Sequence, residues 1–303
     1  MTVTGPVEPS ELGVTLTHEH VFSNALLEYR ATGGILNDEE LAVEELLRYV
    51  AAGGRTLVDV TLDEIGRDPR GLERVAKATG LNIVMGCGHY RDPYLDKDWF
   101  DRTSVDQIAQ MMVDDIVQGV GDTNIRSGII GEIGSDRWYI SAAEERSFRA
   151  AARAQLQTGL TITTHAARWP VGLLQLDVLN SEGVDSGRVI IGHADTVPDP
   201  EYHLAVVDRG AFISFDGFGT EPDYEAERCT RSILHLIKEG FANRILLSQD
   251  VFQKSQLHAY GGNGYDHLLV SVTPRLLRAG FSEQDIKSIL VDNPRSALTG
   301  EGR

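Results

Sequence analysis

Short apolar runs alternate with longer segments of helical periodicity along the chain. The apolar runs are rich in Val, Ile, Leu and Thr, and most end on glycine or a polar residue, which is typical of β-strands. Eight such runs occur, at residues 13–21, 55–62, 82–88, 128–134, 160–166, 188–194, 211–217 and 244–250. The segments at 37–54, 104–120 and 141–159 carry Asp or Ser at their starts, near acidic or amide residues, as helices do. The pattern therefore predicts eight strands that alternate with helices.

This alternation indicates an α/β fold with a parallel sheet. Eight repeats in a chain of 303 residues favour a single (β/α)8 TIM barrel over an open doubly wound sheet. A nucleotide-binding sheet is further disfavoured, because no G-x-G-x-x-G stands between a strand and a helix. We expect one domain over residues 1–303, since α/β barrels run about 250 residues as one unit.

The charge and the cysteine content limit the binding partners and the cellular compartment that we expect for this protein. The chain has 28 Lys and Arg against 45 Asp and Glu, and this formal charge of −17 opposes binding to nucleic acid. Cys87 and Cys229 leave one disulfide open but exclude a disulfide framework. No apolar stretch approaches the roughly 18 residues of a membrane span, and the first residues show neither a basic start nor an apolar signal core. We expect a cytoplasmic protein that binds no membrane.

Polar residues with metal-ligand chemistry occur near the ends of five of the runs. In a barrel the carboxyl ends of all strands share one face, and that face holds the active site. Six side chains would therefore converge at one mouth, and four nitrogens with two carboxylates suit Zn²⁺ or a similar divalent ion. These candidates are His18, His20, Glu132, His165, His193 and Asp250.

Each candidate also has a plainer interpretation. His18 and His20 could form a surface turn, and a lone histidine at a strand end is often a hydrogen-bonded structural residue. Glu132 lies in an apolar run, where a carboxylate is costly to bury unless it is paired or bound to metal. Asp250 poses the same problem, and we expect it to manage the proton while two cations share a bridging hydroxide. The joint pattern is more specific than any member.

The other histidines are weaker candidates. Four of them lie in helical or loop contexts and are expected to be structural or at the surface: His203, His235, His258 and His267. His89 follows the third run, so it either contacts substrate or packs a loop.

Blocks along the whole chain resemble the phosphotriesterase-like family of the amidohydrolase superfamily. These blocks lie at residues 2–21, 55–69, 248–269 and 289–298. The resemblance implies that His18, His20 and Asp250 hold one metal ion, and that His165 and His193 hold the other. It implies a binuclear metal site at the carboxyl face of the barrel.

Two positions depart from the family pattern. Many members bridge their metals with a carbamylated lysine, whereas this chain has Glu132, which supplies one negative charge and two oxygens without modification. Some branches that hydrolyse amides also resemble this chain in carrying Glu. Lactonases often have Arg in a D-R-Y-G stretch, where this chain has Gly217 in Asp216-Gly217-Phe218-Gly219. Lactones of the homoserine type are therefore less secure as substrates.

Loop residues after the strands supply candidate substrate contacts, although any of them could instead pack loops onto the barrel. They are Tyr90, Arg91, Arg137, Trp138, Arg168, Trp169 and Lys254. Arginine together with tryptophan suits a substrate that has an anionic group and an apolar part.

Three functions follow as hypotheses. The first is hydrolysis of a carboxylic ester or lactone by two divalent ions, Zn²⁺ above all, with phosphotriester turnover as a side activity. The second is amide hydrolysis of an N-acyl amino compound, and the third is a non-catalytic small-molecule binding protein on the same fold. We expect a homodimer that acts on a small molecule.

Overall fold

The computed structural model describes residues 1–219 and 223–300. Its main sheet has eight strands that follow one another in chain order, and every neighbouring pair is parallel. The strands are β1 Thr15–Glu19, β2 Thr56–Asp59, β3 Asn82–Cys87, β4 Ile129–Gly134, β5 Ile162–His165, β6 Val189–Ile191, β7 Phe212–Phe215 and β8 Ile245–Leu247. Each predicted run contains one of these strands, so the prediction of eight parallel strands is confirmed.

The sheet curls until its first and last strands approach each other. The His20 N–H donates to the carbonyl of Val251 (3.1 Å), and the Asp250 N–H donates to the carbonyl of His18 (3.2 Å). These bonds join β1 to the segment after β8 at the carboxyl end of the sheet. The result is the predicted (β/α)8 barrel, nearly closed, with its seam beside the candidate ligands.

Helices surround the barrel. They are α1 Leu26–Tyr29, α2 Glu39–Ala51, α3 Pro69–Thr79, α4 Lys97–Arg102, α5 Val105–Val117, α6 Ala142–Thr158, α7 Gly172–Ser181, α8 Pro200–Asp208, α9 Asp223–Lys238, α10 Thr273–Arg278, α11 Glu283–Lys287 and α12 Asn293–Thr299. The predicted caps are present, since the Ser104 and Ser141 side chains each accept a bond from the third helical N–H in a capping box. A two-residue hairpin, Ser23–Asn24 with Ile35–Leu36, flanks α1.

Apolar side chains fill the barrel below the candidate ligands. Strands and the segments next to them contribute Val58, Val84, Ile190, Phe212 and Leu246 to one buried cluster, and Ala297 of α12 joins it. This packing fills the interior of the barrel, and the active site of such a barrel lies at the carboxyl ends of its strands. Cys87 and Cys229 are both buried, and no disulfide links them. No helix among the described residues is long and apolar enough to cross a bilayer.

Candidate metal centre and substrate pocket

Six side chains that the sequence predicts as metal ligands meet at the carboxyl end of the barrel. Three belong to β1, β4 and β5, and three follow the ends of β1, β6 and β8. Three groups of their donor atoms, each group within 4.8 Å, could hold a metal ion. We call this set the metal floor; it comprises His18, His20, Glu132, His165, His193 and Asp250.

Glu132 lies at the centre of the metal floor and is 1% exposed. Its Oε2 is 2.9 Å from His165 Nδ1 and 3.3 Å from His193 Nε2. Its Oε1 is 3.5 Å from His20 Nε2, and Oε2 lies at the same distance from His18 Nε2. The two carboxylate oxygens thus face His18 and His20 as well as His165 and His193, which is the placement that a bridging ligand requires.

Asp250 lies at the edge of the metal floor next to the seam. Its Oδ1 is 3.3 Å from His20 Nε2 and 3.8 Å from His18 Nε2. The Asp250 side chain is 20% exposed, against 2% for that of Glu132. Asp250 is therefore the floor carboxylate that a substrate or water molecule in the pocket can reach.

Hydrogen bonds to Nδ1, on the side away from the metal floor, fix the ring orientation of two histidines. The Thr61 hydroxyl donates to the carbonyl of Phe22, so its oxygen is left to accept from His20 Nδ1 at 2.8 Å. His193 Nδ1 donates to Asp216 Oδ1 at 2.8 Å, because an ionised carboxylate only accepts. Against the effect of burial, neighbouring carboxylates raise the pKa of both rings, to about 10 for His20, so ligation of a cation would displace a proton from each. In the neutral form that ligates a cation, Nε2 carries the lone pair and faces the floor. This arrangement is usual for metal-bound histidines.

His18 supplies a further test of whether cations fit. Its ring is 1% exposed, and neither ring nitrogen has a hydrogen-bond partner within the described part of the chain. His193 Nε2 also lies 2.8 Å from His165 Nδ1, so two imidazole nitrogens face each other. The carboxylate oxygens that face the His18 nitrogens, on Glu132 and Asp216, lie 3.5 Å away. Buried nitrogens without a hydrogen bond are costly, and a divalent cation would satisfy them. The residues of the metal floor therefore fit two divalent ions.

The charges of the floor support an anionic Glu132. Burial alone would raise its pKa, but His18 and His165 hold the pKa of this carboxyl well below its ordinary value. Burial and the neighbouring His193 lower the pKa of His165 to about 4. An ionised carboxylate beside a neutral imidazole is the protonation state in which both groups can ligate a cation.

Two buried carboxylates that the sequence analysis did not identify support the floor. Asp216, directly after β7, also accepts from the His193 N–H with both oxygens at 3.1 Å. Glu19, between His18 and His20 in sequence, binds the segment around Asp250. It accepts from the Ser248 hydroxyl (2.7 Å) and from the N–H groups of residues 249 and 251 (2.8 Å each). Burial raises the pKa of Glu19 to about 7, although these bonds oppose the rise. Both were recognisable as carboxylates within apolar runs.

Left-handed backbone conformations concentrate at the site. Four non-glycine residues in the described part of the chain have positive φ, and three of them line the pocket: Arg168 (70°), His193 (57°) and Asp250 (50°). Such conformations are uncommon outside glycine and persist where the surrounding structure enforces them. The backbone thus turns sharply at two candidate ligands and at one candidate substrate contact.

Above the metal floor lies a cavity of about 250 Å³. Its upper wall comes from the loops after β1, β3 and β5. Tyr90, Tyr94, Glu28 and Arg168 line it, and Arg91 packs behind, with its guanidinium 5.1 Å from the centres of both tyrosine rings. We call this set of five residues the rim. Tyr90 also contacts the floor, because its hydroxyl is 3.2 Å from His165 Nδ1.

The remaining candidate contacts lie outside this cavity. Trp138 and Trp169 are 64% and 44% exposed, and Arg137 pairs with Asp136 at 3.6 Å. Lys254 lines a separate small cavity. His89 packs below the rim, where its Nδ1 is 2.6 Å from Glu64 Oε1. Of the predicted contacts, the structure therefore brings Tyr90 and Arg168 to the cavity wall and Arg91 directly behind it.

The family model described as "Phosphotriesterase family" matches residues 1–298 of this chain. The chain belongs to the phosphotriesterase family. The family membership that the sequence blocks indicate is thereby confirmed. The family is binuclear and metal-dependent, and the metal floor contains the donor groups that could bind such ions.

Individual relatives carry several names. The "Phosphotriesterase homology protein" of Escherichia coli (strain K12) is 36% identical over 283 residues, which are 93% of this chain and 96% of the relative. The "N-acetyltaurine hydrolase" of Dictyostelium discoideum is 32% identical, covering 98% of this chain and 97% of the relative. The crystal structure of a lactonase from Listeria monocytogenes superposes with a TM-score of 0.92 at 29% identity, covering 99% of each chain. The names of the last two, an N-acetyltaurine hydrolase and a lactonase, differ in the bond that is cleaved.

Proposed function

We propose that this chain is a binuclear divalent-metal hydrolase that cleaves carboxylic esters or lactones of small molecules, with phosphotriesters as a side activity. The observation that carries the proposal is the convergence of four imidazoles and two carboxylates at the base of one cavity. The predominance of nitrogen donors favours Zn²⁺ as the metal. The assignment is His18, His20 and Asp250 to one ion, His165 and His193 to the other, and Glu132 to both.

Bound divalent cations supply an activated water nucleophile and a Lewis acid for the scissile carbonyl group. The residues of the chain supply position and proton transfer. Asp250 is reachable from the cavity, so it accepts the proton of the attacking water and returns it to the leaving alkoxide. Tyr90 narrows the cavity above His165 and holds the acyl group against the floor.

A second candidate is hydrolysis of an N-acyl amino compound with an anionic group. Two observations favour it: Arg168 lines the cavity above the floor, and N-acetyltaurine hydrolases are among the relatives. An amide needs protonation of its leaving nitrogen, and Asp250 is the group placed to provide it. Gly217 stands where lactonases of the family often have an arginine, and this difference also favours an amide over a lactone as the substrate.

One panel separates these functions. Zinc-loaded protein is assayed against γ- and δ-lactones, aryl esters, N-acetyltaurine with N-acyl amino acids, and phosphotriesters, with Asp250→Asn as the negative control. We expect ester or lactone turnover that the control lacks; turnover confined to the amides would establish the second candidate instead. Tight ligand binding with no turnover at full metal occupancy would support a binding protein and contradict both. The homodimer, the cytoplasmic location and the single domain stay predictions.

A further inference from the structure

Two arginines from separate loops share one carboxylate at the wall of the cavity. Arg168 Nη2 is 3.2 Å from Glu28 Oε1, and Arg91 Nη2 pairs with Glu28 Oε2. Glu28 and Arg168 line the cavity whose base is the metal floor. The Glu28 carboxylate thus occupies the place beside the two arginines where an anionic group of a ligand would bind, at the wall of the cavity above the metal floor.

The two arginines differ in how firmly they are paired. The Arg91 side chain is 8% exposed, and Asp136 binds its other terminal nitrogen. The Arg168 side chain is 70% exposed, and among the described residues Glu28 is the only carboxylate in contact with it. An exposed ion pair of this kind contributes little to stability and is screened by salt. The Arg168–Glu28 contact can therefore be exchanged at low cost.

The backbone of Arg168 is held in place relative to the metal floor. Its N–H donates to the Thr196 hydroxyl oxygen at 2.6 Å, and that hydroxyl donates to the carbonyl of His193 at 2.7 Å. Glu28, in contrast, lies on the four-residue helix α1, whose Leu26 and Leu27 are 44% and 56% exposed. Few apolar contacts oppose a shift of this segment. The backbone of Arg168 is therefore held, and the segment that carries Glu28 is the one that can shift, with Arg91 as the second partner of its carboxylate.

We infer that Glu28 determines the charge selectivity of the pocket by competing with an anionic group of the substrate for Arg168. Arg91 keeps Asp136 as a second carboxylate partner, whereas Arg168 pairs with Glu28 alone among the described residues. When Glu28 turns away, the positive charge of Arg168 is left for a sulfonate, carboxylate or phosphate group of the substrate. The acyl group of the same molecule then lies over the metal floor. This inference rests on the proposed function for the identity of the bond cleaved, but not for the anion site.

The test is equilibrium binding rather than turnover. Calorimetry on zinc-loaded protein compares ethanesulfonate with the neutral ethyl methyl sulfone. Glu28→Gln should bind ethanesulfonate about fivefold to tenfold more tightly than the unmodified chain, and Arg168→Gln should bind it more weakly by a similar factor. Affinity for the sulfone should not change. Glu182→Gln is the matched control, since Glu182 also joins two arginines, Arg149 (2.7 Å) and Arg153 (3.0 Å), outside the cavity.

Several results would overturn the inference. Weaker ethanesulfonate binding by Glu28→Gln would mean that Glu28 positions Arg168 instead of competing with the anion. Unchanged binding in both rim variants would place the anion on the metals alone. If Glu28→Gln does not fold, Glu28→Asp withdraws the carboxylate by one methylene, and unchanged affinity in it contradicts the inference equally. None of these readouts needs hydrolysis, so failure of the proposed function is recognised separately, by absent turnover in the substrate panel.

Discussion

The metal floor and the rim of the same pocket are built by different means. The floor takes its ligands from barrel strands or from the residues shortly after them. Two buried carboxylates support these ligands, since Asp216 binds His193 and Glu19 binds the segment around Asp250. The rim takes its charges from loops, and Arg168 at its edge is 70% exposed. The floor side chains of Glu132 and Asp250 are 2% and 20% exposed. Burial and strand placement fix the floor, whereas the rim can rearrange.

This difference indicates how one barrel can serve relatives with different substrates. Chemistry on the floor needs ligands held within a few tenths of an ångström, and strand ends supply that precision. Substrate choice depends on loop residues, which vary without loss of the barrel. We therefore expect variants of the floor to change turnover, and variants of the rim to change affinity for particular substrates.

The largest effect should come from Asp250→Asn. The amide keeps the shape of the side chain but cannot accept a proton, so kcat should fall by about 100-fold or more. Metal content must be measured on the same sample, because Asp250 is also a proposed ligand. Full activity at full occupancy would exclude Asp250 from catalysis.

An intermediate effect should come from Glu19→Gln, which tests whether the seam positions Asp250. The amide group cannot accept all three bonds from the segment around Asp250, so one donor loses its partner. We expect kcat to fall about tenfold while KM and metal content change little. Steady-state kinetics with metal analysis measure this split.

Glu45→Gln is the matched control for this prediction. Glu45 is likewise buried, at 2% exposure, and accepts the N–H groups of His258 and Ala259 at 3.1 and 2.9 Å, away from the metal floor. Its variant should lose stability without losing kcat. Equal loss of kcat in the two variants would reduce the role of Glu19 to general stability.

The smallest effect should come from Trp138→Ala. Trp138 is 64% exposed and lies outside the cavity lining, although the sequence makes it a candidate contact. We expect kcat/KM to change by less than about twofold, since exposed side chains away from special features contribute little. A tenfold loss of kcat/KM for any substrate would show that this loop contacts substrate, so that the rim would include Trp138.

The floor could be predicted from sequence because it depends on one regularity. His18, His165 and Glu132 lie at or near the carboxyl ends of strands, and a parallel barrel brings all such ends to one face. Glu19 and Asp216 carried the same signal as Glu132, a carboxylate in an apolar run, yet only their contacts assign them a role. A pattern identifies which buried charges need partners, but it does not pair them.

The rim could not be predicted in the same way. Glu28 lies 63 residues from Arg91 and 140 residues from Arg168, and these connecting segments between strands follow paths that no periodicity determines. Position in the loops after the strands did indicate several arginines and tryptophans as candidate substrate contacts. The structure divides that group, because it brings Arg168 to the cavity wall while Trp138 and Trp169 remain outside it.

The central claim is that Glu132, without modification, bridges two metal ions. The most direct measurement is reconstitution of metal-free protein with Zn²⁺ in bicarbonate-free buffer, with metal content and activity determined together. We predict two zinc ions per chain and full activity without bicarbonate, because a carboxylate needs no CO₂ to become a ligand. Glu132→Gln, treated identically, should lose at least one ion. Bicarbonate-dependent recovery of the unmodified chain, or two ions and normal turnover in Glu132→Gln, would contradict the claim.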